Sequence, residues 1–133
     1  MEKIKKIHHV GYLVDNIGLS RKNFESLGFK TSLSVCYDEI RQIDILFMNR
    51  GDFCIELICP REGSDIKRLQ KKYKNSPYHI CFEVESIDYS IEKLKEDGYL
   101  VFSKSTPAPA ISSTAKVVFL FHTNLGIIEL LEQ

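Results

Sequence analysis

The chain repeats itself, and a repeat constrains architecture more than any local signal. The segment HVGYLVDNIGLSRKNFESLGF, starting at His9, aligns without a gap on HICFEVESIDYSIEKLKEDGY, starting at His79. His9 pairs with His79, Val14 with Val84, Ile17 with Ile87, Ser20 with Ser90, Gly28 with Gly98 and Phe29 with Tyr99, at a constant offset of 70, with Leu27 against Asp97 as a mismatch. Each copy opens with an alternating apolar strand and a turn carrying an acid, Asp15 or Glu85. It then runs as a helix to a glycine placed where the backbone needs positive φ. Ser20 or a residue just before it is the expected cap of the first helix, and Ser86 or Asp88 of the second. Strand-like stretches follow at residues 30–35, 42–48 and 53–58 in one copy, and at 100–103, 116–121 and 127–131 in the other.

The order is therefore β-α-β-β-β, twice, an α+β chain of two repeated βαβββ modules. Module 1 covers about 5–60 and module 2 about 78–133, with a linker at about 61–77 that holds a short helix around 64–73. The whole of 1–133 is expected to act as one domain, since a chain of this length buries roughly two-thirds of its unfolded surface.

With 44% hydrophobic and 27% charged residues and zero formal net charge, the chain is neither disordered nor membrane-embedded. Its cations are interspersed with as many acids, apart from Lys67, Arg68, Lys71, Lys72 and Lys74, which fit a solvated helix face and not a nucleic-acid footprint. Cys36, Cys54, Cys59 and Cys81 form no CxxC motif and are too sparse for a disulfide scaffold. Reduced thiols, no leader and a cytoplasmic location are the expectation.

Strand side chains alternate between faces, so parity sorts the polar residues. Val10, Tyr12 and Val14 point toward the helix and His9 points away. Ile55 and Leu57 do the same for Glu56, Ile80, Phe82 and Val84 for His79, and Ile128 and Leu130 for Glu129. A carboxylate among apolar neighbours is costly unless it meets a cation or donors. Two such carboxylates, each matched with a histidine in a duplicated frame, point to a shared ion. The set His9, Glu56, His79 and Glu129 suits one divalent metal such as Zn, Ni, Co, Mn or Fe, with positions left for water or substrate. His8 and His122 have no repeat partner and read as structural or exposed.

The motifs HHVGYLVDN, FESLGF, CIELICP, YHICFEVESI and VVFLFHTNLGIIELLEQ together resemble the vicinal oxygen chelate superfamily, the glyoxalase, bleomycin-resistance and dioxygenase group. The resemblance implies curved mixed sheets forming a metal-binding cleft, with ligands falling on the same four residues. Within the superfamily, NRGDFCIELICP and the closing segment resemble the methylmalonyl-CoA epimerase group, while the quartet is equally that of the glyoxalase I (lactoylglutathione lyase) group. The first implies an acyl-CoA substrate, the second a hemithioacetal, and both imply proton transfer beside a carbonyl through a metal-stabilised enolate or enediolate. A non-catalytic metal-binding or drug-binding protein is the alternative of a different class. With Ile43, Ile45 and Phe47 read as core, Asp44 falls on the cleft face as a candidate base. Glu129, able to leave the metal, is the second candidate and Glu83 ranks third. Exposed strand edges and the family's habit add the expectation of a homodimer.

Overall fold

A computed structural model describes residues 4–133. The ten strands and three helices of this stretch make an α+β chain that divides into two compact units. One is His9–Tyr78; the other is His79–Gln133 with the described residues up to His8.

The first unit takes the second half of β1 (Ile4–Leu13), then α1 (Ile17–Ser26), β2 (Lys30–Thr31), β3 (Cys36–Asp38), β4 (Ile43–Arg50), β5 (Phe53–Pro60) and α2 (Lys67–Tyr73). Its ladder runs β2-β4-β5-β1, with β3 also on β4. The β4–β5 hairpin is antiparallel and β1 lies parallel to β5. The second unit repeats the plan with β6 (Ser76–Val84), α3 (Ile87–Glu96), β7 (Leu100–Val101), β8 (Thr106–Pro107), β9 (Lys116–His122) and β10 (Gly126–Glu132). There the ladder is β7-β9-β10-β6, with β8 on β9 and β6 parallel to β10.

Both long helices begin and end by the same local chemistry. Asn16 Oδ1 accepts from the Leu19 amide at 2.9 Å, and Ser86 Oγ from the Tyr89 amide at 3.1 Å. A short polar side chain thus satisfies one of the amides that the first helical turn leaves without a partner. The first cap is Asn16 and not Ser20, because the helix starts a full turn earlier than its serine. At the far ends Gly28 and Gly98 both take φ of 91°. The Phe29 amide then reaches Phe24 O at 3.1 Å, and the Tyr99 amide reaches Leu94 O at 3.2 Å, a Schellman closure in each copy.

The helix-facing cores follow the repeat. Val14, Leu46, Met48, Ile55 and Leu57 pack with Val10, Tyr12, Ile17 and Phe24 in one unit. Val84, Ile87, Val118, Leu120, Ile128 and Leu130 pack with Ile91 and Leu94 in the other.

Four local expectations are revised. The strand over 30–35 breaks: β2 stops at Thr31 and pairing resumes at Cys36, leaving Leu33 and Val35 exposed. The strand over 100–103 stops at Val101, and Thr106–Pro107 forms a further short strand. The linker helix starts at Lys67, after a turn in which the Ser64 amide bonds Arg61 O. Finally, β4 has the opposite facing from that inferred above. Phe47 stands directly across from Glu56, and Leu46 and Met48 across from Leu57 and Ile55, so Leu46 and Met48 face α1. Ile43, Ile45, Leu46, Phe47 and Met48 are all buried, so both faces of β4 are apolar and alternation could not distinguish them.

Candidate metal centre

The parallel pairing of β1 with β5 sets Gly11 against Glu56, so the glutamate lies two positions along from His9 on the same face. The parallel pairing of β6 with β10 sets Cys81 against Glu129, two positions along from His79. The outcome is one motif made twice. His9 Nε2 lies 3.1 Å from Glu56 Oε1, and His79 Nε2 lies 3.1 Å from Glu129 Oε1. All four residues are buried, at 1%, 7%, 4% and 5% exposure in the order His9, Glu56, His79, Glu129.

An aromatic edge braces each imidazole. Phe47 meets His9 at 5.6 Å and 77°, and Phe119 meets His79 at 5.4 Å and 85°. Both phenylalanines reach this position through the hairpin register, Phe47 across from Glu56 and Phe119 across from Glu129. Sequence reasoning missed this pair, although the duplicated placement of a phenylalanine ahead of each glutamate carried the signal.

A borderline divalent cation fits these donors. Nitrogen and oxygen ligands bind such ions at about 2.0–2.2 Å, so two of them at right angles lie about 3 Å apart. The 3.1 Å separation in each pair therefore suits two donors of one ion as well as it suits a hydrogen bond. Within a low-dielectric setting a cation would also offset the desolvation of the carboxylate.

The remaining candidates divide. Glu83 lies on the face of His79 and is buried, with Lys5 Nζ at 3.9 Å and a long hydrogen bond from Gln133 Nε2 at 3.5 Å. Asp44 does not join His9 and Glu56. It stands across from Cys59 on the other face of β4, where Arg61 grips it through Nη2 at 2.9 Å and Nε at 3.2 Å. Arg61 in turn lies over the Tyr37 ring, 3.8 Å from its centroid. The correction of Asp44 has the same cause as that of β4. Beside this ion pair, burial pushes the Cys59 thiol up, against the weaker pull of Lys67.

His122 proves structural. Its Nδ1 accepts from the Asn124 amide at 3.0 Å and its Nε2 faces Asp97 O at 3.1 Å, at the end of α3. Arg50 fills the same place after α1, its Nε donating to Leu27 O at 3.0 Å. Between β8 and β9, Ala108, Ile111 and Ala115 pack with Cys81, Val117 and Leu131 on the His79 face.

Two βαβββ units with a buried histidine–glutamate pair on each sheet define a class, and sequence comparison names it. The family model for the Glyoxalase/Bleomycin resistance protein/Dioxygenase superfamily matches residues 8–119, and the chain belongs to that family. The mitochondrial methylmalonyl-CoA epimerase of Bos taurus is 28% identical over 91% of this chain and 69% of its own length. The ethylmalonyl-CoA/methylmalonyl-CoA epimerase of Cereibacter sphaeroides is 34% identical over 60% of this chain, a match that spans only 60% of that protein. Among solved structures, a hypothetical protein of Bacillus halodurans superposes with a TM-score of 0.82 at 28% identity, covering 96% of this chain and 94% of that one. The methylmalonyl-CoA epimerase of Mycobacterium tuberculosis superposes at 0.80 over 97% and 88% of the two chains, and at 18% identity it shares the fold alone. Among the described residues no helix is long and apolar enough to cross a membrane.

Proposed function

We propose that this protein is a divalent-metal-dependent isomerase or epimerase of the methylmalonyl-CoA epimerase type, and that His9, Glu56, His79 and Glu129 together hold one ion. The observation that carries the reading is the duplicated buried pair, a histidine and a glutamate at 3.1 Å in each module. Similarity to two epimerases of acyl-CoA substrates supports the choice of chemistry.

A divalent cation bound there supplies Lewis acidity to a carbonyl oxygen, which lowers the cost of removing the neighbouring proton. Both imidazoles would hold such an ion through ring nitrogen, each with a phenylalanine packed edge-on against it. The buried strands exclude water from the pair, which strengthens every charge interaction within it. Of the two paired carboxylates we assign Glu129, 3.1 Å from His79 Nε2, to hold and return the proton. Asp44, bound by Arg61 on the opposite face, has no part in this reading.

The test is exchange of substrate α-hydrogen with deuterated solvent, using protein loaded with Co²⁺, Ni²⁺ or Zn²⁺. Exchange of methylmalonyl-CoA is expected, with Glu129→Gln slowing it by at least about a hundredfold, the scale of a lost general base. Exchange of a methylglyoxal hemithioacetal instead would move the assignment to the lyase. Exchange of neither would remove both.

A further inference from the structure

We propose that the second module carries a specificity wall for an apolar, aromatic-sized group borne on the carbon next to the substrate carbonyl; this rests on the metal-site reading above and deepens it. The wall follows from the ladder. Ile127 pairs with both His79 and Phe121, and Glu129 with Phe119. Leu100 pairs with Phe121, and the Phe102 amide reaches Phe119 O at 3.3 Å. Directly paired residues share a face. Leu100, Phe102, Phe119 and Phe121 therefore lie with His79 and Glu129, while Val101 and Leu120 join the core under α3.

The wall is continuous with the site. Phe119 sets its edge on the His79 ring, and Phe102 leans on Phe119 at 6.3 Å and 35°. Leu100 is 65% exposed and Phe102 56%, with Phe121 also exposed. At the Cys81, Val117 and Leu131 end of the same face, Ala108 and Ile111 cover the sheet. The exposed apolar stretch thus begins at the His79–Glu129 pair. Exposed apolar surface of this continuity marks a binding surface.

The repeat sharpens the point. In the first module the Ser32 amide bonds Phe47 O and Lys30 pairs with Asn49, so the equivalent places hold Lys30, Ser32, Phe47 and Asn49. The phenylalanine that braces the histidine is kept in both modules, whereas the three places beyond it are polar in one and apolar in the other. The apolar margin thus belongs to the second module alone, where a carbonyl compound bound at the His79–Glu129 pair presents the substituent on its neighbouring carbon to Phe102 and Phe119. Aromatic rings in contact with Phe102 and Phe119 gain from offset or edge-on packing as well as from area.

The experiment uses the metal-loaded full chain and the CoA thioesters of malonate bearing methyl, butyl or benzyl at the α-carbon. α-Hydrogen exchange gives kcat/KM, and calorimetry gives Kd. We expect benzyl to exceed methyl by at least about tenfold in both, the range in which apolar pockets discriminate. Phe102→Ala should reduce that ratio about tenfold, and Ser32→Ala should move it less than about twofold. Equal Kd for methyl and benzyl, or a ratio that Phe102→Ala leaves in place while metal content is kept, overturns the wall. A Phe102→Ala variant that turns a dimer into a monomer in sedimentation without moving the ratio also overturns it, assigning the face to a second copy of the chain. If no thioester exchanges but the Kd ratio follows expectation, the wall stands and the epimerase reading falls.

Discussion

A glutamate buried beside a histidine is an unusual residue for a strand to carry, because an ionised carboxylate loses much of its hydration there. Glu56 and Glu129 both do so, in equivalent places and with the same partner distance. Replacing Glu56 by Gln keeps the shape and removes the charge. The expected result is a fall of at least about tenfold in affinity for Co²⁺, or about 1.4 kcal/mol, measured by titration against a chelator. Residue-scale conformational limits act at the helix ends. A methyl group at Gly28 would meet Arg50 Nε at 2.9 Å, on a backbone with φ of +91°, whereas at Gly98 the nearest atom is His122 Nε2 at 3.5 Å. Gly28→Ala should cost about 1–2 kcal/mol and Gly98→Ala less, both read from urea unfolding midpoints. Cys59 provides a pH signature. Its thiol is pushed above its usual value of 9.0 by burial, so its folded-state pKa exceeds the unfolded one. A raised pKa leaves stability intact below the unfolded value and erodes it as pH rises through the folded value. Stability should therefore fall more steeply above about pH 9 in the parent than in Cys59→Ala, in parallel urea titrations.

Among the elements, the two caps and the two glycine closures were visible as chemistry in the sequence, though Asn16 displaced Ser20 because the helix begins as soon as the strand turns. Asn16→Ala and Ser86→Ala should each lose about 1 kcal/mol, detectable as a lower thermal midpoint without loss of bound metal. The strands were legible where one face is apolar and the other polar. β1, β5, β6 and β10 were placed on the right faces because a His or Glu marks the far side of each. β4 carries apolar residues on both sides, so its facing depended on partner register, and with it the fate of Asp44. The short strands β3 and β8 owe their existence to hydrogen bonds offered by β4 and β9, which no local pattern announces.

At the scale of the molecule, two units each provide half of the proposed ligand set, and that division has a thermodynamic consequence. An ion held by both pairs stabilises the folded chain by RT ln(1 + [M]/Kd), about 2.7 kcal/mol at a hundredfold excess over Kd. Removing it with a chelator should lower the thermal midpoint by several degrees. Variants that break either pair, Glu56→Ala in one unit or Glu129→Ala in the other, should lose the whole of that metal-dependent increment. Retention of half in either variant would mean two independent ions. The duplication, the βαβββ order and the four histidine and glutamate positions were determined by the sequence alone, because a repeat and a two-residue period are local properties of the chain. The distance between each histidine and its glutamate, the phenylalanine set against each imidazole, the exile of Asp44 to the far face and the aromatic wall beside His79 were decided only in the tertiary structure. Each depends on which residues of separate strands stand opposite one another, and that register is set by the packing of the whole sheet.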